Sequence, residues 1–327
     1  MIVSATRPLA LVRRLEIVII TQGPELYSTT RLASAARARG HGVSHLNPTR
    51  CTIRMGSEER GVLYNGQRIV QPMDCLIPRI GASITQHGLR VLRQFEAEGV
   101  LLLNSTQGIA GSRDKLRAMQ AFDAAGLDIP RTSYARGAGD LRRALGDVGG
   151  PPVILKLLEG TQGIGVMRCD TVASAESVVD VLSRLQQPII VQEYVREARG
   201  QDLRIIVVGD RAVAAMHRKS GGDFRSNIHR GGTGTAVTLD AETERIAIEA
   251  TRCLGLRVAG VDRGKPRAFE CAAMFVKIPP RYTVHAADDG GVGADQRGHP
   301  GHHRRHGMRL EGDDHVILYP QRRRVVG

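Results

Sequence analysis

The sequence predicts an α/β protein in two units: a small Rossmann-like domain with a parallel sheet over 15–110, and a larger unit from 111. Two observations predict it. The first hundred residues alternate short apolar runs with stretches of helical period, the β-α-β order that builds an open parallel sheet. The second half brings strands in pairs, around a glycine-rich loop and around a Gly-Asp turn. A chain of 327 residues is long enough to give each unit its own core.

"LEIVII" (15–20) is a compact apolar run, hence a buried strand. A helix ending near Arg39-Gly40 follows, then a strand in "GHGVSHLNP" (40–48). "DCLIPRIG" (74–81) is the next strand, with Arg79 at its end. Leu89, Leu92 and Phe95 mark a helix over 86–98, stopped by Gly99, and "VLLLN" (100–104) is a strand. The larger unit opens with a helix capped by Ser112 and carrying Leu116, Met119 and Phe122 on one face. "PVILKLL" (152–158) and "VMRC" (166–169) are strands on either side of "EGTQGIGV". A helix with Val178, Val181, Leu182 and Leu185 leads to a strand in "PIIVQEYV" (188–195). "DLRIIVVGDRAVAAMHR" (202–218) is a hairpin turning at Gly209-Asp210. Asp240 caps a helix ended by Gly255, and "VAGVD" (258–262) is a strand.

Composition narrows the function. Aromatics make up 3% of the chain and Trp is absent, which argues against a stacking platform for single-stranded nucleic acid and against nucleic-acid binding as the primary role. The net charge of +13 suits an acidic partner or reflects a basic composition in which Arg greatly outnumbers Lys. The five cysteines are scattered and form no C-x-x-C pair, which fits a reducing, cytoplasmic compartment without structural zinc. No apolar run reaches the ~18 residues of a membrane span. Residues 1–14 read as an extension whose charges follow its apolar part, unlike a signal peptide. Six of the eleven His lie in the last 57 residues, and "HPGHHRRHGMR" (299–309) has no helix or strand period. Residues 271–327 thus read as a His/Arg/Gly-rich disordered tail, or as a metal-binding tract.

The glycine loop places Gly160, Gly163 and Gly165 between two strands. It lacks the Lys-Ser/Thr of a P-loop and the G-x-G-x-x-G order of a dinucleotide fingerprint. It is either a flap whose amides fold over phosphates or a tight hairpin. Lys156 lies between Leu155 and Leu157, and an ammonium in an apolar strand needs an anionic partner such as a triphosphate. Glu193 and Tyr194 end a strand whose backbone can meet an adenine edge. Asp202 suits a ribose hydroxyl or a turn at the start of a strand. Arg204, Arg218 and Arg225 offer forks for phosphate or carboxylate, or solvated surface charge. "FRSNIHRGG" (224–232) has the polar density of a ligand loop.

"PRIGASITQHGLRVLRQFE", "SRDKLRAMQ", "VILKLLEGTQGIGV", "VQEYVREARGQDLRIIVVGD", "DFRSNIHRGG" and "VAGVD", in this order, resemble the RimK family from about Leu15 to Glu270. These are ATP-grasp ligases that add L-glutamate to the C-terminus of ribosomal protein S-six. The resemblance implies an ATP-grasp fold behind the small domain, ATP with two magnesium or manganese ions, an acyl-phosphate intermediate and a homotetramer. It gives Lys115 and Lys156 to the phosphates, Gly160 to Gly165 to the flap, Glu193 and Tyr194 to the adenine, and Asp202 to the ribose. It gives Arg225, Ser226 and Asn227 to the nucleotide and the reacting phosphoryl group. Asp262 and Glu270 would be metal ligands, and Arg79 would meet an acidic substrate. The family's E-V-N-x-S-P-G motif is not matched: "CAAMFV" follows Glu270, Ala272 stands where asparagine belongs, and the spacing from Asp262 is short. A frame disruption near residue 263 would account for this break and for the unrelated tail, and translation of the underlying DNA in its other two frames tests it.

Overall fold

The computed structural model describes residues 13–56, 58, 60–158, 165–197, 200–220, 233–264 and, as backbone only, 268–273. Gly160, Gly163, Arg225, Ser226, Asn227 and the sequence from 274 onward lie outside the described residues.

The first unit runs β1 (Glu16–Thr21), α1 (Tyr27–Arg37), β2 (Gly42–Leu46), β3 (Cys51–Arg54), β4 (Gly61–Tyr64), β5 (Gln67–Arg68), β6 (Cys75–Arg79), α2 (Thr85–Ala97) and β7 (Leu101–Leu102). A parallel sheet of order β2-β1-β6-β7 is its frame. Val18, Ile19 and Ile20 are all buried, as expected of a central parallel strand covered on both faces. Leu89, Leu92 and Phe95 face the core from α2, and Gly99, at φ +83°, ends that helix in the left-handed region. The connection from β2 to β6 carries an antiparallel meander, β3-β4-β5, that was not anticipated. Its strands span four residues or fewer, too short for a clear alternation. The strand expected over 100–104 is only Leu101–Leu102, because Asn104 at φ +72° turns the chain away.

The second unit begins with two helices, α3 (Thr106–Arg113) and α4 (Lys115–Ala124), where one helix capped by Ser112 was expected. Ser112 lies inside α3 and its hydroxyl donates to the Ile109 carbonyl. Asp114 breaks the path with an extended backbone and accepts from the amides of Leu116 and Arg117, so it is the true cap of α4. Next come β8 (Thr132–Ala135), α5 (Ala138–Asp147), β9 (Val153–Leu157), β10 (Val166–Cys169), α6 (Val172–Arg184) and β11 (Ile189–Glu193). They form an antiparallel sheet, β10-β9-β11-β8, with α5 and α6 packed on one face. The chain ends its described part with β12 (Gln201–Val208), β13 (Arg211–Lys219), β14 (Thr233–Ala236), α7 (Ala241–Cys253), β15 (Val258–Gly264) and β16 (Ala268–Ala273). Their order is β14-β13-β12-β15-β16, also antiparallel.

Two cores follow. Val153, Leu155, Ile189 and Val191 pack on α5 and α6. The larger core joins the parallel sheet through α2, α3 and α4 to Ile205, Val207, Ala259 and Val261 of the last sheet. Asn104 pins this junction. Its Oδ1 accepts from the amides of Arg257 (2.8 Å) and Val258 (2.9 Å), and its Nδ2 donates to the Val258 carbonyl (2.7 Å). Asn104→Ala leaves these buried groups unmatched on a left-handed backbone. It is expected to lower stability by about 3 kcal/mol, read as an earlier urea midpoint at unchanged m-value.

Candidate active site

Alternation along each strand decides which side chains are available to a ligand. In the β9–β11 sheet, Val153 and Leu155 point into the core beneath α5 and α6. Ile154 and Lys156 therefore take the opposite face. Register adds Val166 and Arg168 of β10 and Ile190 and Gln192 of β11 to that face. Gln192 donates to the Thr132 hydroxyl at 2.9 Å, and Ile154 and Ile190 are buried. A basic, partly apolar surface results, with Lys156 at its centre.

The glycine loop leaves and rejoins this sheet beside Lys156. Gly165 has φ +73°, and a Cβ there would stand 2.7 Å from the Leu157 side chain. The amide of Leu157 donates to the Gly165 carbonyl at 2.9 Å. Glycine is thus required at the return of the loop by backbone shape and by space. Lys115, first residue of α4, is tied to the start of the same loop: its amide donates to the Leu158 carbonyl at 3.1 Å. The structure thus brings Lys115, Lys156 and Gly165 to one place.

The end of β11 is fixed by one ion pair and one cation–π contact. Glu193 accepts from the amide (2.9 Å) and Nε (2.8 Å) of Arg131. Tyr194 lies under the Arg168 guanidinium, 4.5 Å from its ring centroid. Neither arginine was singled out from the sequence. Arg168 was findable, since it lies two residues beyond Val166, the register partner of Lys156, on the same face.

In the last sheet, Ile205 and Val207 face the core, so Asp202 and Arg204 face away from it. Arg218 lies opposite Asp202, and Asp262 opposite Arg204. Four charges therefore share one sheet face. Arg218 donates bidentately to Asp202 (2.7 and 2.5 Å) and also reaches Asp262 at 2.9 Å. Arg204 donates to the same Asp262 oxygen, Oδ1, at 2.8 Å. Burial alone would lower the pKa of Arg218, but the carboxylates of Asp262 and Asp202 outweigh it and raise the pKa further. Gly260 makes room for this ladder, because a Cβ there would meet Arg204 Nη2 at 2.4 Å.

Glu270 is the register partner of Asp262 across β15 and β16. The side chains described around Asp262 do not make a cage for a divalent cation. Magnesium needs several oxygen ligands, whereas Asp262 Oδ1 already serves two guanidinium groups. Among the described residues no group of three His, Cys, Asp or Glu could hold a metal ion.

Comparison with known proteins identifies the family. Residues 15–109 match the RimK PreATP-grasp domain and residues 112–266 the RimK-like ATP-grasp domain. The second match ends just before Glu270. A protein named probable alpha-L-glutamate ligase 2, from Shewanella sp. (strain MR-4), is 48% identical over 249 residues, covering 76% of this chain and 83% of the relative. Probable alpha-L-glutamate ligase 1 of Shewanella denitrificans is also 48% identical over 249 residues, covering 76% and 84%. Among solved structures, the ATP-grasp ligase PsnB complexed with minimal precursor, Mg and ADP aligns with a TM-score of 0.58 at 20% identity, over 80% of this chain and 89% of that one. The last likeness concerns the fold alone. With near half of its residues identical over three quarters of its length, and both domain models matched in order, the chain belongs to the RimK family.

Proposed function

We propose that this protein is an ATP-dependent alpha-L-glutamate ligase that extends the C-terminal carboxylate of ribosomal protein S-six. The observation that carries the reading is Lys156 beside the start and return of the glycine loop in a RimK-family chain. Residues 15–110 form the pre-ATP-grasp domain and 111–270 the ATP-grasp domain. The compartment is the cytoplasm; no helix among the described residues is long and apolar enough to cross a membrane.

The chemistry follows from a weak electrophile. A carboxylate resists attack by an amine, so an oxygen of the acceptor carboxylate first attacks the γ-phosphorus of ATP. The bond to the β,γ-bridging oxygen breaks and ADP leaves. The glutamate amine then attacks the acyl carbon, phosphate departs, and the nitrogen loses a proton to give the amide. Lys156 and Lys115 bind and neutralise phosphate oxygens. The backbone of Glu193 and Tyr194 meets the adenine, since the Glu193 carboxylate is held by Arg131. Arg225, Ser226 and Asn227, outside the described residues, are assigned to the nucleotide and transferring phosphoryl group. Asp202 reaches a ribose only in competition with Arg218. The expected pair of magnesium or manganese ions at Asp262 and Glu270 lacks a ligand cage among the described residues.

The test is mass spectrometry of S-six after incubation with this protein, ATP, magnesium and glutamate, with ADP release measured in parallel. Glutamate-dependent ADP release and mass gains of whole glutamate residues are the expected result. Release on another acceptor, with S-six unchanged, would move the assignment to that acceptor. A second reading is a nucleotide-binding protein without turnover. It is favoured by one observation, the engagement of Asp262 by both arginines, and ATP binding without ADP release would establish it.

A further inference from the structure

Strand parity separates the two arginines at the end of β11. Glu193, which holds Arg131, is the register partner of Val153 and so belongs to the sheet face covered by α5 and α6. Arg168 is the register partner of Ile154, and Ile154 of Gln192, so these three share the face of Lys156. Tyr194 lies two residues past Gln192 and keeps its parity, and the Arg168 guanidinium sits over its ring. In the strand order β10-β9-β11, the Arg168 side chain therefore passes above Ile154 of β9 to reach the end of β11.

The face has two ends. At the first, Lys156 and Val166 adjoin Leu157 and Gly165, which are bonded where the glycine loop returns. At the second stand Arg168 and Tyr194. Val166 and Arg168 are two residues apart, about 7 Å along the strand. Buried Ile154 and Ile190 form an apolar floor between the ends. A nucleotide with its phosphates on Lys156 runs toward the second end with its sugar and base, where the backbone of Glu193 and Tyr194 meets the base edge.

The guanidinium of Arg168 is held by its edge and by one face. Its Nε donates to Asp170 Oδ1 at 2.8 Å, and its Nη2 lies 2.6 Å from the same oxygen. One face of its plane covers Tyr194, 4.5 Å from the ring centroid. The side chain is nevertheless 37% exposed, which leaves the second face of the plane for a ligand. An arginine whose edge already serves a carboxylate acts through its plane, and guanidinium planes stack well on aromatic rings.

We propose that Arg168 is a nucleobase-binding residue, its free guanidinium face stacking on the base so that base, Arg168 and Tyr194 form three layers. The proposal rests on the ligase reading for the nucleotide and for the direction in which it lies. The full-length protein is titrated calorimetrically, with magnesium, against a non-hydrolysable ATP analogue and against inorganic tripolyphosphate, which carries the phosphates without a base. Arg168→Leu is expected to weaken the analogue about tenfold, since stacking is a large part of base affinity, and to leave tripolyphosphate unchanged. Arg168→Lys keeps the charge and loses the plane, so it is expected to bind the analogue as weakly as Arg168→Leu does. In glutamate-dependent ADP release, KM for ATP should rise by the same factor while turnover at saturating ATP holds. Both variants lie on the edge strand β10, and urea midpoints equal to wild type show that the fold is kept. Three results would each overturn the stacking role: wild-type affinity for the analogue in Arg168→Leu, its recovery in Arg168→Lys, or equal weakening of the analogue and tripolyphosphate. A wild-type protein that binds neither probe would instead defeat the nucleotide and ligase reading on which the proposal rests. Binding with the expected losses but without ADP release would leave Arg168 at the base and defeat only the ligase reading.

Discussion

Arg218→Met is expected to lower the unfolding free energy by about 3–5 kcal/mol, the cost of removing one partner from a buried ion pair. The side chains of Arg218, Asp202 and Asp262 are only 10%, 15% and 21% exposed. In wild type, Arg218 bridges the two carboxylates across β12, β13 and β15. Methionine fills a similar volume but leaves Asp202 without its bidentate partner. Asp262 retains Arg204. Arg245→Met is the control, because its ion pair with Glu242 is 63% and 62% exposed, and exposed pairs contribute little. The first variant should shift the urea midpoint strongly and the control should not shift it measurably. Adding Asp202→Asn to Arg218→Met should recover part of the loss, since it removes the charge that Arg218 paired bidentately. Equal midpoints for Arg218→Met and Arg245→Met would show that the ladder does not hold the last sheet together.

Legibility in the sequence followed the strength of periodic signals. β1, β6, α2, β9, β11, the β12–β13 hairpin and α7 were readable because each combines an apolar run or stripe with a turn or cap residue at its end. The meander β3-β4-β5 was not, because its strands are too short to alternate. The break between α3 and α4 was hidden by two capping-type residues two positions apart, and only the choice of first-turn amides distinguishes Ser112 from Asp114. Site residues divided similarly. Lys156 stood out as a cation in an apolar strand. The partnership of Asp202 with Arg218 and of Arg204 with Asp262 did not, because it depends on register between strands far apart in the chain. The separate assignments to ribose, phosphate and metal hid one feature: the four side chains form a single neutral cluster. Arg225, Ser226 and Asn227 lie outside the described residues, and their assignment rests on the polar density of "FRSNIHRGG" and on the family resemblance.

Lys156→Met is the second substitution with a large expected effect, and it acts on function rather than stability. Lys156 lies opposite Val166 and Ile190 in the middle of three hydrogen-bonded strands, so its Cα position is fixed. Its side chain leaves the sheet on the face away from α5 and α6, and methionine can follow the same path among Ile154 and Ile190. The fold should therefore keep its urea midpoint. What is lost is a positive charge next in sequence to Leu157, whose amide is bonded to Gly165 at the return of the glycine loop. On the proposed mechanism that charge stabilises the γ-phosphoryl group as negative charge migrates to the bridging oxygen. Removing one such preorganised group costs about 10²–10³-fold in turnover. Glutamate-dependent ADP release should fall by that factor, and titration with an ATP analogue should show weakened binding. Lys156→Arg, which keeps the charge but changes its geometry, should recover nucleotide binding more than turnover. If Lys156→Met instead bound the analogue and released ADP as wild type does, Lys156 would be a surface cation and the phosphates would have to lie elsewhere.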